Sequence, residues 1–161
     1  MPGSAFVDPH PFVELFVGIL FLTLNIFVHG AGVRSISQRF YRRWTKTGSN
    51  TPQWHINLIF AAVVGGFALL HLTETLVWAL PIYASGAIPT FRDSYYFVLE
   101  NYTTLGDDAV NLPQSWQLIG PVIAMAGLFT FGWTASVLVA IMSEFGKWDR
   151  KTIGGFDEPR T

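Results

Sequence analysis

The stretch ENYTTLGDDAVNLP, Glu100 to Pro113, concentrates polar chemistry in an otherwise apolar chain. Thr103 and Thr104 lead into Leu105 and Gly106, and two adjacent carboxylates, Asp107 and Asp108, follow. Like charges held close together lower their repulsion by taking up protons or by binding cations. Two unit charges about 6 Å apart repel by roughly 3 kcal/mol at an effective dielectric near 20. Hard ions such as Ca²⁺ prefer carboxylate oxygens. Asp107 and Asp108 are therefore candidate ligands for Ca²⁺ or a monovalent cation, or else two solvent-facing turn residues. A second polar group is HLTET, where His71 and Glu74 stand three residues apart and share one helix face. Ionisable groups inside an apolar segment mark a partner or a cavity. Three readings stay open for this pair: structural hydrogen bonding, a protonation switch, and a metal site. For the metal site the pair supplies two ligands, and Glu14, Asn25 or His29 could add a third.

The elements that must position these groups are long and apolar. Half of the 161 residues are hydrophobic and 13% are charged, where soluble domains carry about 25% charged residues. Gln117 to Ser143 contains no Asp, Glu, Lys or Arg. As a helix it would measure about 40 Å, more than the ~30 Å hydrocarbon core of a bilayer. His55 to Leu80 has only Glu74 charged, and Phe12 to Gly32 only Glu14. The last of these is read as a span rather than a signal peptide, because no basic region precedes it and no cleavage site is clear. With no Cys, disulfides, thiolate metal sites and Cys nucleophiles are excluded. A net charge of −1 gives no basic field for nucleic acid. No phosphate-binding Gly loop, nucleophile–base pair or cofactor motif is present, so no enzyme is expected and no cofactor is called.

Basic residues set the expected orientation. Arg34, Arg39, Arg42, Arg43 and Lys46 lie between the first two spans, and Lys147, Arg150, Lys151 and Arg160 follow the third. Only Arg92 lies between spans two and three. The expected layout is an outer tail (1–11), a first span (12–32), a cytoplasmic basic link (33–53), a second module (54–142) and a cytoplasmic tail (143–161). The link suits either a helix lying on anionic lipid or a solvated loop.

Between spans two and three, TFRDSYYFVLENYTT is too short to cross a membrane. Phe91, Tyr95, Val98 and Tyr102 follow helical spacing, and Thr90 with Asp93 forms a capping-box-like start. A short helix followed by a polar turn between two long helices is a re-entrant arrangement. Non-helical backbone survives at membrane depth only where protein buries it or it lines water. The alternative is a helix and loop lying on the outer surface. The fold class is thus all-α and membrane-embedded, with three transmembrane helices and a re-entrant pore helix and filter-like loop.

Trp54 to Met142, and above all YYFVLENYTTLGDDAVNLPQSWQLIGPVIAMAGLFTFGW, resembles the pore region of tetrameric pore-loop cation channels, in particular bacterial two-helix potassium-channel-like proteins. The first span and its basic link lie outside the resemblance. Thr104, Leu105 and Gly106 match the T-V-G of the usual T-V-G-Y-G-D filter, whose carbonyls replace the hydration shell of K⁺. Asp107 stands at the Tyr position, Asp108 at the second Gly and Ala109 at the closing Asp. An Asp does not adopt the backbone angles of that Gly freely, so the upper carbonyl rings are not expected to form as in a K⁺ filter. Similar channels with Asp at the Tyr position, the NaK type, are nonselective. The resemblance implies a filter at Thr103, Thr104, Leu105, Gly106, Asp107 and Asp108, weak discrimination between Na⁺ and K⁺, and assembly as a homotetramer in a bacterial inner membrane. In some relatives a Glu at the place of Glu100 sits behind the filter and pairs with the closing Asp, a partner that Ala109 removes; a surface-facing Glu100 is the other reading. A Gly of the inner helix acts as a gating hinge in such channels, which nominates Gly127 or Gly132, although small residues serve close helix packing equally well. The functional expectation is a weakly selective cation channel with an acidic, divalent-binding mouth. Its alternative is a non-conducting channel-like subunit of a larger membrane complex, with the first span facing lipid or other membrane subunits.

Overall fold

A computed structural model describes residues 10–48, 50–107 and 109–154, with side chains described as far as Arg150. Asp108, most of the outer tail 1–11 and the end of the C-terminal tail lie outside the described residues. Among the described residues every regular element is helical: α1 (Pro11–Trp44), α2 (Gln53–Ala84), α3 (Phe91–Tyr102), a short 3₁₀ turn (Gln114–Trp116) and α4 (Ile119–Gly154). Three helices are long and apolar enough to cross a membrane, and the chain is an integral membrane protein.

α1 begins with Pro11 in its first turn, where the missing N–H is no loss. It does not stop near Gly32. It runs unbroken to Trp44, so the first part of the expected basic link is neither a loop nor a separate surface helix but the end of α1. VRSISQRFYRRW contains no Pro or helix-ending Gly after Val33, and Arg42 and Arg43 fall in the last turn, where cations complement the helix dipole. α4 likewise continues past Ser143 to Gly154.

The buried face of α1 is its polar face. Glu14, Gly18, Asn25, His29, Val33 and Phe40 point inward, while Phe12, Phe16, Leu20 and Phe27 are exposed. That inversion is what lipid requires: apolar side chains lose nothing facing hydrocarbon, and polar ones need partners inside the protein. α1 is thus an internal member of the bundle, packed against both α2 and α4, which themselves barely touch. α3 fills the other junction, also against α2 and α4.

Two apolar clusters result. The first joins Trp78, Ala79 and Ile82 of α2, Phe97, Val98 and Tyr102 of α3, and Ile119, Val122, Ile123 and Ala126 of α4. The second joins Val33 and Phe40 of α1, Ile59, Val63 and Phe67 of α2, and Ile141 of α4. Between them, at the level of His29, Glu74 and Thr130, lies a buried polar layer.

Candidate functional site

α3 starts as its sequence suggests. The Thr90 hydroxyl accepts the Asp93 N–H at 3.1 Å, which completes half of a capping box. Val98 and Tyr102 of the spaced aromatic and apolar set are buried, Tyr95 is half-buried and Phe91 is exposed. A helix whose face closes the first apolar cluster is tucked into the bundle rather than laid on its outside.

The end of α3 is a Schellman turn. Leu105 N–H donates to the Glu100 carbonyl at 2.7 Å and Thr104 N–H to the Asn101 carbonyl at 3.0 Å. The position that glycine usually fills in this turn is Thr104, at φ +58°. A β-branched residue there is an outlier, with strain on the order of 1–3 kcal/mol. Gly106 follows at φ +69°. Thr103, Thr104, Leu105, Gly106 and Asp107 are all exposed. Asp107 accepts a hydrogen bond from the Tyr96 hydroxyl one face back along α3, and that carboxylate holds the Tyr96 phenol above its ordinary pKa. The expected pairing of Asp107 with Asp108 falls outside the described residues.

Glu100 is buried, 4% exposed, and does not face the surface of the chain. Asn101 turns its amide back to the Phe97 carbonyl at 2.8 Å. The loop's other boundary is fixed from α1: the Glu14 carboxylate accepts the Leu118 N–H at 3.0 Å, just before α4 begins, where the helix dipole favours a negative charge.

Behind α3 the polar layer links four helices. His29 Nδ1 of α1 meets Glu74 Oε1 of α2 at 2.7 Å, with both side chains fully buried. Tyr102, the last residue of α3, donates to Glu74 Oε2 and shares a hydrogen bond with Thr130 of α4. His71 sits with Nδ1 at 3.1 Å from the Tyr102 hydroxyl and 3.5 Å from Glu74 Oε2, and with Nε2 at 3.1 Å from Thr134 Oγ1. His71 and Glu74 thus belong to a hydrogen-bonded network that reaches the C-terminal end of α3. Of the candidate third partners, His29 joins the pair directly. Asn25 lies buried beside the Tyr102 hydroxyl, and Glu14 is committed to the start of α4. Tyr102, Thr130 and Thr134 carry roles that the sequence reading did not assign. The signal was the four-residue spacing of Thr130 and Thr134, two hydroxyls on one face of an otherwise apolar span.

The two glycines of α4 differ. A Cβ on Gly127 would lie 1.9 Å from the Tyr102 carbonyl oxygen, so this glycine is where the last turn of α3 seats on α4. A Cβ on Gly132 meets nothing within 4 Å. Close packing therefore accounts for Gly127 and not for Gly132.

No curated protein and no solved structure matches the chain. Residues 70–144, just under half of the chain and spanning the end of α2, α3, the exposed loop and most of α4, match the model of a family described as an ion channel.

Proposed function

We propose that the chain is a weakly selective cation channel, in which the exposed loop Thr103–Asp107, with Asp108, lines the axis of a homotetramer and Asp107 forms an acidic, divalent-binding outer mouth. The observation that carries this reading is the contrast along one short segment. α3 is held on all its inner contacts, yet the loop it delivers is exposed over every described residue, strained at Thr104 and finished by a carboxylate. Polar backbone that a membrane protein leaves uncovered lines water or another copy of the chain. Residues 70–144, similar to an ion-channel family, supply this helix and loop. The C-terminal end of α3 carries the partial negative charge of a helix terminus with no basic residue in its last turn, which favours a cation nearby. The retained Thr104-Leu105-Gly106 supports a cation path, and the aspartates in place of the K⁺-selecting upper half support weak Na⁺/K⁺ discrimination. The distribution of Arg and Lys supports an outward-facing Asp107.

The test is flux from liposomes containing the purified chain. Reversal potentials under opposed Na⁺ and K⁺ gradients should fall near zero, and external Ca²⁺ should block. Asp107→Asn should relieve the block while flux persists. Absence of flux from tetrameric, reconstituted protein would sink the channel reading. Unaltered block in the variant would sink the mouth.

A further inference from the structure

We propose that His29, His71 and Glu74 form a binding site for a borderline divalent transition-metal ion of the Zn²⁺ type, buried where α1, α2 and the end of α3 meet. Each of the three residues offers one ligand atom, and these atoms lie within 4.8 Å of one another. Two imidazoles and a carboxylate suit Zn²⁺, with a further position open, and are a poor set for Ca²⁺ or Mg²⁺, which take oxygen ligands. Glu74 Oε2 and His71 Nδ1 are already 3.5 Å apart, close to the ~3.3 Å between ligand atoms that 2.0–2.1 Å bonds give in a tetrahedron. His29 Nδ1 and Glu74 Oε1, at 2.7 Å, hold the hydrogen bond that the ion would replace.

The surroundings of the three ligands suit a bound metal. His71 has the outer support that metal-bound imidazoles have: its far nitrogen, Nε2, is 3.1 Å from Thr134 Oγ1, which fixes the ring with Nδ1 toward Glu74. Beside the three ligands, the Tyr102 hydroxyl and the fully buried Asn25 side chain place further polar atoms. The site rests on helix packing alone and does not depend on conduction through the Thr103–Asp107 loop.

The experiment is equilibrium dialysis of the full chain in detergent against Zn²⁺, with metal quantified per chain, followed by Co²⁺ loading read by visible absorption. The expected result is one Zn²⁺ per chain, not displaced by excess Ca²⁺, and the intense visible bands of four- or five-coordinate Co²⁺ with nitrogen ligands. His29→Ala and Glu74→Gln should weaken binding at least 100-fold. Thr134→Val, which removes only the support of the His71 ring, should weaken it about 10- to 100-fold. Asp107→Asn should leave it unchanged. Failure of the unmodified protein to take up stoichiometric Zn²⁺ overturns the proposal. So does a weak, octahedral all-oxygen Co²⁺ spectrum, or uptake that is lost on Asp107→Asn. The wild-type spectrum decides the matter even where a variant does not fold.

Discussion

Two polar regions lie a few residues apart in this chain and are built in opposite ways. In the layer behind α3, His29, Glu74, Tyr102 and Thr130 are buried and bonded to one another across four helices. In the loop after α3, Thr103 to Asp107 are exposed, and Asp107 accepts a hydrogen bond from the hydroxyl of Tyr96. Tyr102 belongs to the first region and Thr103 to the second. The boundary between them is a single peptide. A polar group in the first region is completed inside the chain, and one in the second is left exposed.

Substitutions can break that contrast. The largest effect is expected at Glu74. Glu74→Leu leaves His29 and Tyr102 buried without their acceptor, and breaking a buried pair in this way costs about 3–5 kcal/mol. Reversible unfolding in mixed micelles should show it, whereas Asp107→Leu should shift stability by less than about 0.5 kcal/mol, as exposed positions do. Comparable losses at both positions would erase the distinction. Next is Gly127→Ala, which sets a Cβ 1.9 Å from the Tyr102 carbonyl. Backbone cannot fold away as a flexible side chain can, so a loss of about 1–3 kcal/mol is expected. Gly132→Ala has open space and should gain up to about 1 kcal/mol from helix propensity. If flux nonetheless falls in Gly132→Ala, the hinge reading belongs to that residue. Third, Tyr102→Phe removes the hydroxyl shared by Glu74, His71 and Thr130, for about 1–3 kcal/mol.

The smallest effect concerns the loop. Its Tyr96–Asp107 bond requires a protonated phenol, whose pKa is raised by that same bond. The sign follows: the contact is fully present below the ordinary phenol pKa and is lost as pH rises through the elevated one. Ca²⁺ block should therefore change only at strongly alkaline pH, and Tyr96→Phe should remove that change without altering stability. A block that titrates near neutral pH would assign it to another group.

The elements were legible because lipid imposes simple rules. Charge-free stretches marked the spans, the Thr90–Asp93 pair marked the start of α3, and TTLG marked the turn after it. The interior of the bundle was not legible. Glu74 and His71 were visible as intramembrane polar residues, but their partner His29 lies 45 residues from Glu74, and no local spacing encodes that distance. The role of α1 is hidden in the sequence because the resemblance to two-helix channels leaves it out. Its inward polar stripe shows that it is a working part of the bundle. The basic segment after Val33 looks like a link in sequence because charge masks helical continuity. With neither Pro nor a helix-ending Gly to stop it, the helix runs on to Trp44.

The order in which the chain is made gives that stripe a further meaning. α1 emerges first, yet Glu14 is completed by Leu118 of α4 and His29 by Glu74 of α2. Until α4 is made, Glu14 lacks the partner it ends with, and an ionised carboxylate left in hydrocarbon is disfavoured. The partners that complete the inward stripe of α1 are thus spread over the whole length of the chain. The Glu14 contact of the first helix can close only once the start of α4 has been made.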